Sequence, residues 1–230
     1  MLVPTSSSIY QDKLPGFAIT IQQQEDIRKL YDNMQYAKTV DVTQAIEEAK
    51  ESYLYFKTDH HMTSLGAYLL YTSFCEAKGT NPTPLTAFTE KVVSTSFLGT
   101  FDSKARVPGQ VPDVITIYEN EKNTNLKEVQ YDTQTTQSIY NEAYLQQKDK
   151  YSFFLNGNNS KVVVKTYVPN GEKLLVIKDS YAHNTVQFLC QDYEEIHLID
   201  PRYYHGSLSE YVKQQGITEI LVLYNYSNLL

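Results

Sequence analysis

The strongest constraint on the fold is the alternation of short apolar runs with helical patterns in the last third of the chain. Residues 173–178, 195–200 and 219–224 are predominantly apolar runs of the kind that form buried strands. Residues 181–193, and the segment that begins at Ser207, have helical patterns between them. Strands and helices that alternate at these lengths form right-handed βαβ units, so the sequence predicts an α/β fold with a parallel central sheet.

Residues with capping preferences mark the ends of two helices. Ser207 and Glu210 have the spacing of a capping box, and Gly216 is a suitable stop for the helix that they open. Thr63 and Gly79 mark a second helix in the same way, which runs to about residue 78. One face of this second helix carries Leu65, Tyr68, Leu69 and Thr72.

The rest of the chain has weaker patterns. Residues 25–50 have helical spacing. Residues 100–172 contain Pro/Gly-rich and polar stretches, with strand-like patches at 113–118 and 161–167, and we interpret them as a β-rich insertion or lid on the α/β core. The chain has neither an internal repeat nor a long linker, so we expect residues 1–230 to form a single domain.

Charge and hydropathy argue against a nucleic-acid partner and against a membrane span. The net charge is −7, the opposite of the basic surface that binds nucleic acid. The sequence also lacks the roughly 18 consecutive apolar residues of a membrane span. We therefore predict neither a nucleic-acid partner nor a membrane span in this chain.

The compartment is indicated only weakly by the residues themselves. Residues 1–8 lack the charged and apolar regions of a signal peptide, as they would if a leader had been removed before them. Cys75 and Cys190, the only cysteines, have apolar neighbours, so we expect two buried free thiols. A disulfide between them stays open at this stage.

Ser180 is the first candidate for a reactive side chain. It follows the apolar run 173–178, and reactive groups gather at the carboxyl ends of parallel strands. A Ser between a strand and a helix can project its hydroxyl there, and its backbone N–H can help to hold a developing oxyanion. The alternative is that Ser180, or Asp179 beside it, only caps the following helix.

Asp59 and His61 supply the other two side-chain types of an acyl-transfer triad. A His accepts a serine proton only when its tautomer is held, usually by a carboxylate on its other nitrogen. Two residues apart in an extended or turn segment, Asp59 and His61 can both point into one cleft. The alternative is a polar box in front of the helix that Thr63 opens.

A metal site is the competing interpretation of the same residues. Asp59, His60 and His61 are all ligand types, and His183 follows Ser180 by three positions. Adjacent His residues rarely converge on one ion, and no further carboxylate or His cluster has motif spacing. We therefore predict no metal and no other cofactor.

Polar residues after the other strands are candidates for binding substrate. Asn225 and Asn228 follow the third strand and could donate to an oxyanion, or simply form a turn. Arg202 and Tyr203 follow the second strand and could bind an anionic or sugar group, or belong to a solvated loop. Asn158 lies in an Asn/Gly-rich segment that predicts a tight turn first and a pocket loop second.

Three blocks of sequence resemble the bacterial DHHW proteins. They are Tyr-Phe-Lys-Thr-Asp-His-His-Met-Thr at 55–63 followed by Gly-Ala-Tyr at 66–68, Ile-Lys-Asp-Ser-Tyr-Ala at 177–182, and Ile-Asp-Pro-Arg-Tyr-Tyr at 199–204. That family is similar to the alginate O-acetylation enzymes and belongs with the SGNH (GDSL-type) hydrolases. The resemblance spans about residues 53–228, and the order of the blocks is more specific than any one of them.

The resemblance implies a three-layer α/β/α fold in which the Ser block follows the Asp/His block, an order permuted from ordinary SGNH esterases. It implies Ser180 as nucleophile, His61 as base, Asp59 as the residue that orients His61, and Asn225 as an amide donor. It also implies work outside the cytoplasm on acetyl esters of polysaccharides.

Departures from the family pattern occur in two of the blocks and after the last strand. Met62 stands where the family has Trp, and Lys178 replaces the Gly of Gly-Asp-Ser. Residues 225–228 do not reproduce the family's Gly-x-Asn-Asp block. The sequence as a whole predicts a serine esterase or O-acetyltransferase that acts on acetylated carbohydrate or an acetylated small molecule. The alternative is a non-catalytic, cell-surface carbohydrate-binding protein on the same fold.

Overall fold

A mixed seven-stranded sheet forms the centre of the computed structural model, which describes residues 1–19 and 22–229. The strands in this part of the chain are β1 (Leu2–Val3), β2 (Thr89–Phe97), β3 (Asp113–Glu119), β4 (Glu128–Gln130), β5 (Thr135–Thr136), β6 (Lys161–Lys165), β7 (Lys173–Lys178), β8 (Glu195–Ile199) and β9 (Glu219–Asn225). The sheet has the order β1-β9-β7-β8-β6-β4-β5, and β2 and β3 form a separate antiparallel pair.

The parallel pairing predicted for the last third of the chain is confirmed for its three strands, and β1, which was not predicted, extends the parallel part of the sheet. Strands β1, β9, β7 and β8 are parallel, and β7 lies between the other two predicted strands. The prediction is wrong for the other side of the sheet, where β6 runs antiparallel to β8 and pairs with β4. No long helix connects β4 to β6 in the described chain, and antiparallel neighbours need no crossover helix. The three-layer arrangement stays a prediction.

Residues 100–172, predicted as an insertion, lie in two places. Strand β3 pairs with β2, which precedes the predicted insertion, whereas β4, β5 and β6 widen the main sheet. Much of this region is therefore continuous with the core sheet. The division into one domain with an insertion stays a prediction.

The helices are short except for one that precedes β2. They are α1 (Ser6–Ile9), α2 (Gln23–Asp32), α3 (Thr43–Glu48), α4 (Ser64–Lys78), α5 (Thr100–Ala105), α6 (Glu121–Thr124), α7 (Val186–Leu189) and α8 (Leu208–Gln215). Turns of 3₁₀ helix occur at Gln11–Lys13, Leu85–Ala87, Glu142–Gln146, Lys150–Phe153, Ser180–Thr185 and Tyr226–Asn228.

The predicted helix ends agree with the structure at α4 and α8. The Thr63 hydroxyl accepts the Gly66 N–H, and Gly79 ends α4 in the left-handed conformation. Ser207 caps α8 by accepting the Glu210 N–H, and Gly216 ends it. The predicted face of α4 is only half-buried and packs at the edge of the core, whereas an adjacent face that includes Ala67, Leu70, Tyr71 and Phe74 is buried.

Two predicted helical segments are shorter than expected. Residues 25–50 contain α2 and α3 with a break between them, where the Asp41 carboxylate accepts the Thr43 N–H just before α3. The predicted helix over 181–193 is a 3₁₀ turn followed by α7. Residues 181–191 are buried on every side, so the one-sided apolar pattern assumed for a surface helix does not apply there.

The main core packs against both α4 and the central strands. Cys75 and Cys190 are buried in it as free thiols, as predicted. A second apolar cluster joins β2 and β3 to the turn at Lys150–Phe153. Within residues 1–19 and 22–229, none of the helices has the length and apolar character needed to cross a bilayer.

Candidate active site

The end of β7 presents Ser180. Asp179 is the cap of the following turn, since its Oδ1 accepts the Tyr181 N–H at 2.8 Å. Its Oδ2 accepts the Asn225 N–H at 2.9 Å and the Asn228 Nδ2–H at 2.6 Å, which ties the end of β7 to the end of β9. Asp179 therefore does the capping, and the hydroxyl of Ser180 is left for other contacts.

Asp59 and His61 lie in a tight loop in front of α4. Backbone bonds close the loop, from the Phe56 N–H to the His61 carbonyl at 3.2 Å and from the Thr63 N–H to the Leu54 carbonyl at 2.9 Å. Both side chains are buried, with exposed fractions of 2% for Asp59 and 6% for His61. The loop therefore directs the side chains of Asp59 and His61 into the protein interior.

The buried carboxylate of Asp113, at the start of β3, accepts hydrogen bonds from the segment that leads into Asp59. It accepts the backbone N–H of Lys57 at 2.9 Å and that of Thr58 at 2.7 Å. It also accepts the Thr58 hydroxyl at 2.6 Å and the Tyr53 hydroxyl. Buried backbone donors need such partners, so Asp113 fixes the segment that leads into Asp59.

Asp59, His61 and Ser180 form one continuous line of hydrogen bonds. His61 Nδ1 lies 2.5 Å from Asp59 Oδ1, and His61 Nε2 lies 2.8 Å from Ser180 Oγ. Asp59 Oδ1 also accepts the His61 backbone N–H at 2.9 Å. With the Nδ1 proton held by the carboxylate, Nε2 is free to accept the serine proton, as a general base requires.

The second oxygen of Asp59 is held by the start of α5. The Thr100 backbone N–H donates to Asp59 Oδ2 at 2.8 Å. A Cβ on Gly99 would lie 2.2 Å from Asp59 Cβ, so only glycine allows the backbone to come this close. Sequence reasoning missed both residues, and a Gly-Thr pair before a short helix is too common to single them out.

The charges of the pair follow from its surroundings. Burial raises the pKa of Asp59, but the hydrogen bonds and charges of His60 and His61 outweigh this, and the pKa lies well below its usual range. Burial lowers the pKa of His61 despite the opposing effect of Asp59. Near neutral pH the arrangement is therefore an ionised Asp59 beside a neutral His61.

His60 has different partners from His61. Its Nδ1 lies 2.8 Å from Thr100 Oγ1, and its side chain is partly exposed. Asp59, His60 and His61 do place ligand atoms within 4.8 Å of one another. However, Asp59 Oδ1 accepts two N–H groups of His61, so a metal ion bound there would have to replace the Nδ1 proton.

The amides after β9 are largely engaged in local structure. The Asn225 side-chain oxygen accepts the Ser227 N–H at 2.7 Å, and the Asn228 amide donates to Asp179. The Asn225 side chain also interacts with Tyr181: burial raises the pKa of Tyr181, and the Asn225 hydrogen bond opposes that rise. The Asn225 side chain thus lies near Tyr181, the residue that follows Ser180.

Three other predicted residues do not join the line of hydrogen bonds. Arg202 binds Asp200 through Nε at 2.9 Å and Nη2 at 2.7 Å, and its guanidinium lies over the exposed Tyr203 ring. Asn158 is exposed in its turn. Across residues 1–19 and 22–229, we find no hydrogen bond from Arg202, Tyr203 or Asn158 to Ser180 or to the Asp/His pair.

Lys178, which replaces the family's Gly, is buried behind the site. Its Nζ donates to His183 Nε2 at 2.8 Å and lies 3.7 Å from Asp200 Oδ2. Burial lowers the pKa of Lys178 to about 8, although Asp200 opposes the shift. The positive charges of Lys178 and Arg202 lie beside the carboxylate of Asp200 and balance its negative charge.

A large surface groove borders the segment that leads into Asp59. It has a volume of about 930 Å³ and is lined mainly by apolar and aromatic residues, among them Tyr10, Tyr53 and Phe101. Lys57 and Phe101, which line it, belong to the same segments as Asp59 and Thr100. Ser180 is not in its lining, so the groove neighbours the candidate site without containing it.

Comparison with known proteins decides the family. The family model for DHHW proteins matches residues 1–199. The chain belongs to the DHHW family. The resemblance read from the sequence blocks is thereby confirmed, while the curated proteins include no match to the chain.

Solved structures agree with this assignment of the DHHW chain. It is similar to a DHHW family protein from Eubacterium siraeum, with 27% identity, a TM-score of 0.82, and coverage of 98% of this chain and 76% of that one. Bacillus cereus PatB1 with a sulfonyl adduct has 21% identity, a TM-score of 0.81, and coverage of 99% and 81%. The O-acetyltransferase domain of Pseudomonas putida AlgJ has 15% identity, a TM-score of 0.55, and coverage of 99% and 74%. The likeness to PatB1 and AlgJ is one of fold.

Proposed function

We propose that this DHHW protein is a serine-dependent O-acetyltransferase or esterase that acts on acetyl esters of carbohydrate. The observation that carries the proposal is the hydrogen-bonded line from Asp59 through His61 to Ser180. The AlgJ domain, named as an O-acetyltransferase, shares the fold and supports the choice of acetyl transfer.

The first half of the reaction forms an acetyl-enzyme. Ser180 Oγ attacks the acetyl carbonyl carbon while His61 Nε2 takes the hydroxyl proton, and Asp59 stabilises the imidazolium that results. The tetrahedral intermediate collapses when the bond to the leaving oxygen breaks, and His61 returns its proton to that oxygen. The leaving group departs as an alcohol.

The second half consumes the acetyl-enzyme. A sugar hydroxyl or a water molecule attacks the same carbonyl, with His61 now acting as base toward the acceptor. The bond between the acyl carbon and Ser180 Oγ then breaks, His61 returns the proton to Ser180, and the acetylated sugar or free acetate is released. A sugar acceptor makes the protein a transferase, and water makes it an esterase.

The backbone N–H of Ser180 is the donor that we propose for the developing oxyanion. It lies at the first position of the 3₁₀ turn Ser180–Thr185, where backbone N–H groups have no partner within the turn. A donor placed beside the attacked carbonyl stabilises charge that appears only in the transition state. We place the reaction outside the cytoplasm, as the family resemblance implies.

The direct test is turnover of p-nitrophenyl acetate together with labelling by phenylmethanesulfonyl fluoride. We expect the wild-type protein to release p-nitrophenol and to gain one sulfonyl group at Ser180, located by peptide mass spectrometry. PatB1, which shares the fold, has been solved with a sulfonyl adduct, and this makes the probe a suitable choice.

The matched controls separate the nucleophile from other serines. Ser180→Ala is expected to abolish both turnover and labelling, whereas Ser96→Ala, at an exposed position in β2, should change neither. A wild-type protein that is inert to both reagents, yet binds acetylated oligosaccharide, would instead support the non-catalytic carbohydrate-binding function.

A further inference from the structure

We infer that Tyr151 is a positioning residue that holds the base His61 and the nucleophile Ser180 in register with each other. The inference rests on the proposed function, because a base and a nucleophile need such alignment only if they react. Tyr151 comes from the 3₁₀ turn Lys150–Phe153, far in sequence from both partners.

The ring of Tyr151 lies flat against the imidazole of His61. The ring centroids are 3.6 Å apart and the planes differ by 9°. The His60 ring covers His61 as well, with centroids 3.8 Å apart and planes inclined by 39°. The two contacts restrict rotation of the imidazole out of its plane, while its edge nitrogens face Asp59 and Ser180.

The hydroxyl of Tyr151 holds the other partner. It donates to the Ser180 carbonyl oxygen at 3.1 Å. Burial raises the pKa of Tyr151 well above its usual value, and the nearby Asp59 adds to the rise, so the phenol keeps the proton that it donates. One side chain therefore contacts His61 through its ring and the Ser180 backbone through its hydroxyl.

Tyr151 is itself fixed by aromatic packing. Its ring meets Phe56 edge-on at 6.3 Å between centroids and packs on Phe154 at 5.3 Å. These residues belong to the second apolar cluster, which also contains Phe97 and residues of β3. Because such clusters are close-packed, the Tyr151 ring is a rigid support for the imidazole.

The expected chemical effect is on the acylation step. Proton transfer from Ser180 to His61 depends on a bond that is already aligned, and a misplacement of about 1 Å costs on the order of 10²-fold in rate. A neutral aromatic face also stabilises the imidazolium that forms during the step. Tyr151 touches neither the transferred proton nor the acyl group in this scheme, so its role is to orient the reacting residues.

Two substitutions separate the contribution of the Tyr151 ring from that of its hydroxyl. Tyr151→Phe keeps the stack and removes one hydrogen bond, so the rate of sulfonylation should fall by less than about tenfold. Tyr151→Leu removes the stack, and the rate should fall by about 10²-fold. Tyr131→Phe and Tyr131→Leu are the controls, since the Tyr131 hydroxyl also donates to a backbone carbonyl, at 3.0 Å, from a buried ring.

The ring protons of His61 give a second readout that does not depend on activity. A flat-stacked tyrosine shifts them upfield in proton NMR. We expect the full shift in the wild type and in Tyr151→Phe, and a smaller one in Tyr151→Leu, where only the His60 ring still covers His61. Tyr131→Leu should retain the full shift. Thermal unfolding of the two Leu variants identifies any rate loss that comes from general destabilisation.

The outcomes distinguish the two proposals. A reactive wild type with an equally reactive Tyr151→Leu variant overturns the inference and leaves the proposed function intact. Equal rate losses in the Tyr151 and Tyr131 variants also overturn it. A wild type that does not react with the sulfonyl probe overturns the proposed function, whatever the NMR spectrum of His61 shows.

Discussion

His61 Nε2 lies 2.8 Å from Ser180 Oγ, although the two residues are 119 positions apart. His61 belongs to the loop before α4, and Ser180 follows the central strand β7. The contact therefore requires that the Asp59 loop pack over the carboxyl end of the sheet. This contact can serve proton transfer from Ser180 only when His61 is neutral.

The first prediction concerns pH. Burial lowers the pKa of His61 below 6.5, and only the neutral imidazole can accept the serine proton. Turnover should therefore be maintained at neutral pH and fall as the pH drops through the lowered pKa. The measurement is kcat/KM for p-nitrophenyl acetate between pH 4 and 8, on protein shown by circular dichroism to stay folded. A midpoint above pH 7 would contradict the assignment.

The second prediction concerns the carboxylate. Asp59→Asn removes the charge that stabilises the imidazolium and can hold His61 in the wrong tautomer. We expect kcat/KM to fall on the order of 10³–10⁴-fold, by analogy with triads of this type. Asp32→Asn, at an exposed position in α2, is the control and should leave kcat/KM unchanged. A loss below tenfold in Asp59→Asn would show that His61 does not depend on Asp59.

The third prediction tests the close approach of α5 to Asp59. In Gly99→Ala the new Cβ would lie 2.4 Å from Asp59 Oδ2, so the backbone has to move and the bond from Thr100 N–H is lost. We expect a loss of about 1–3 kcal/mol in unfolding free energy and of about 10²-fold in rate. Gly16→Ala is the control, because a Cβ there meets no atom within 4 Å. Wild-type rates in Gly99→Ala would show that the Asp59 position is not constrained.

The three residues of the hydrogen-bonded line could be selected from the sequence as candidates because their signals are local. Ser180 follows an apolar strand, and Asp59 and His61 stand at fixed spacing in front of a helix that Thr63 opens. The last third of the chain was predictable for the same reason, since each βαβ unit is contiguous in sequence. The preference for His61 over His60 came from the family blocks, and the structure places His61, not His60, against Ser180.

The supporting residues could not be found in this way because their roles arise from tertiary packing. Asp113, Gly99 and Tyr151 come from segments whose local patterns do not mark them as part of a site, and each reaches the site across a distance that sequence periodicity does not encode. The antiparallel half of the sheet was missed for a related reason. Strands β4 and β6 pair across a long irregular segment, so nothing near either strand specifies the partner.

The fourth prediction concerns the buried cation behind the site. Lys178 is 1% exposed, and burial lowers its pKa to about 8. In the unfolded chain the pKa is about 10.4. Between pH 10.5 and 8 the unfolded chain therefore binds a proton that the folded protein does not, so the stability of the wild type falls as the pH falls through this window.

Lys178→Met removes the effect, and Asp200 keeps its two bonds from Arg202. We expect the unfolding free energy of the wild type, relative to Lys178→Met, to rise by about 2–3 kcal/mol from pH 8 to 10.5, measured by urea denaturation. Lys213→Met, at an exposed position in α8, should show a nearly constant difference from the wild type. A difference between wild type and Lys178→Met that is also constant over this range would mean that the Lys178 pKa is not lowered.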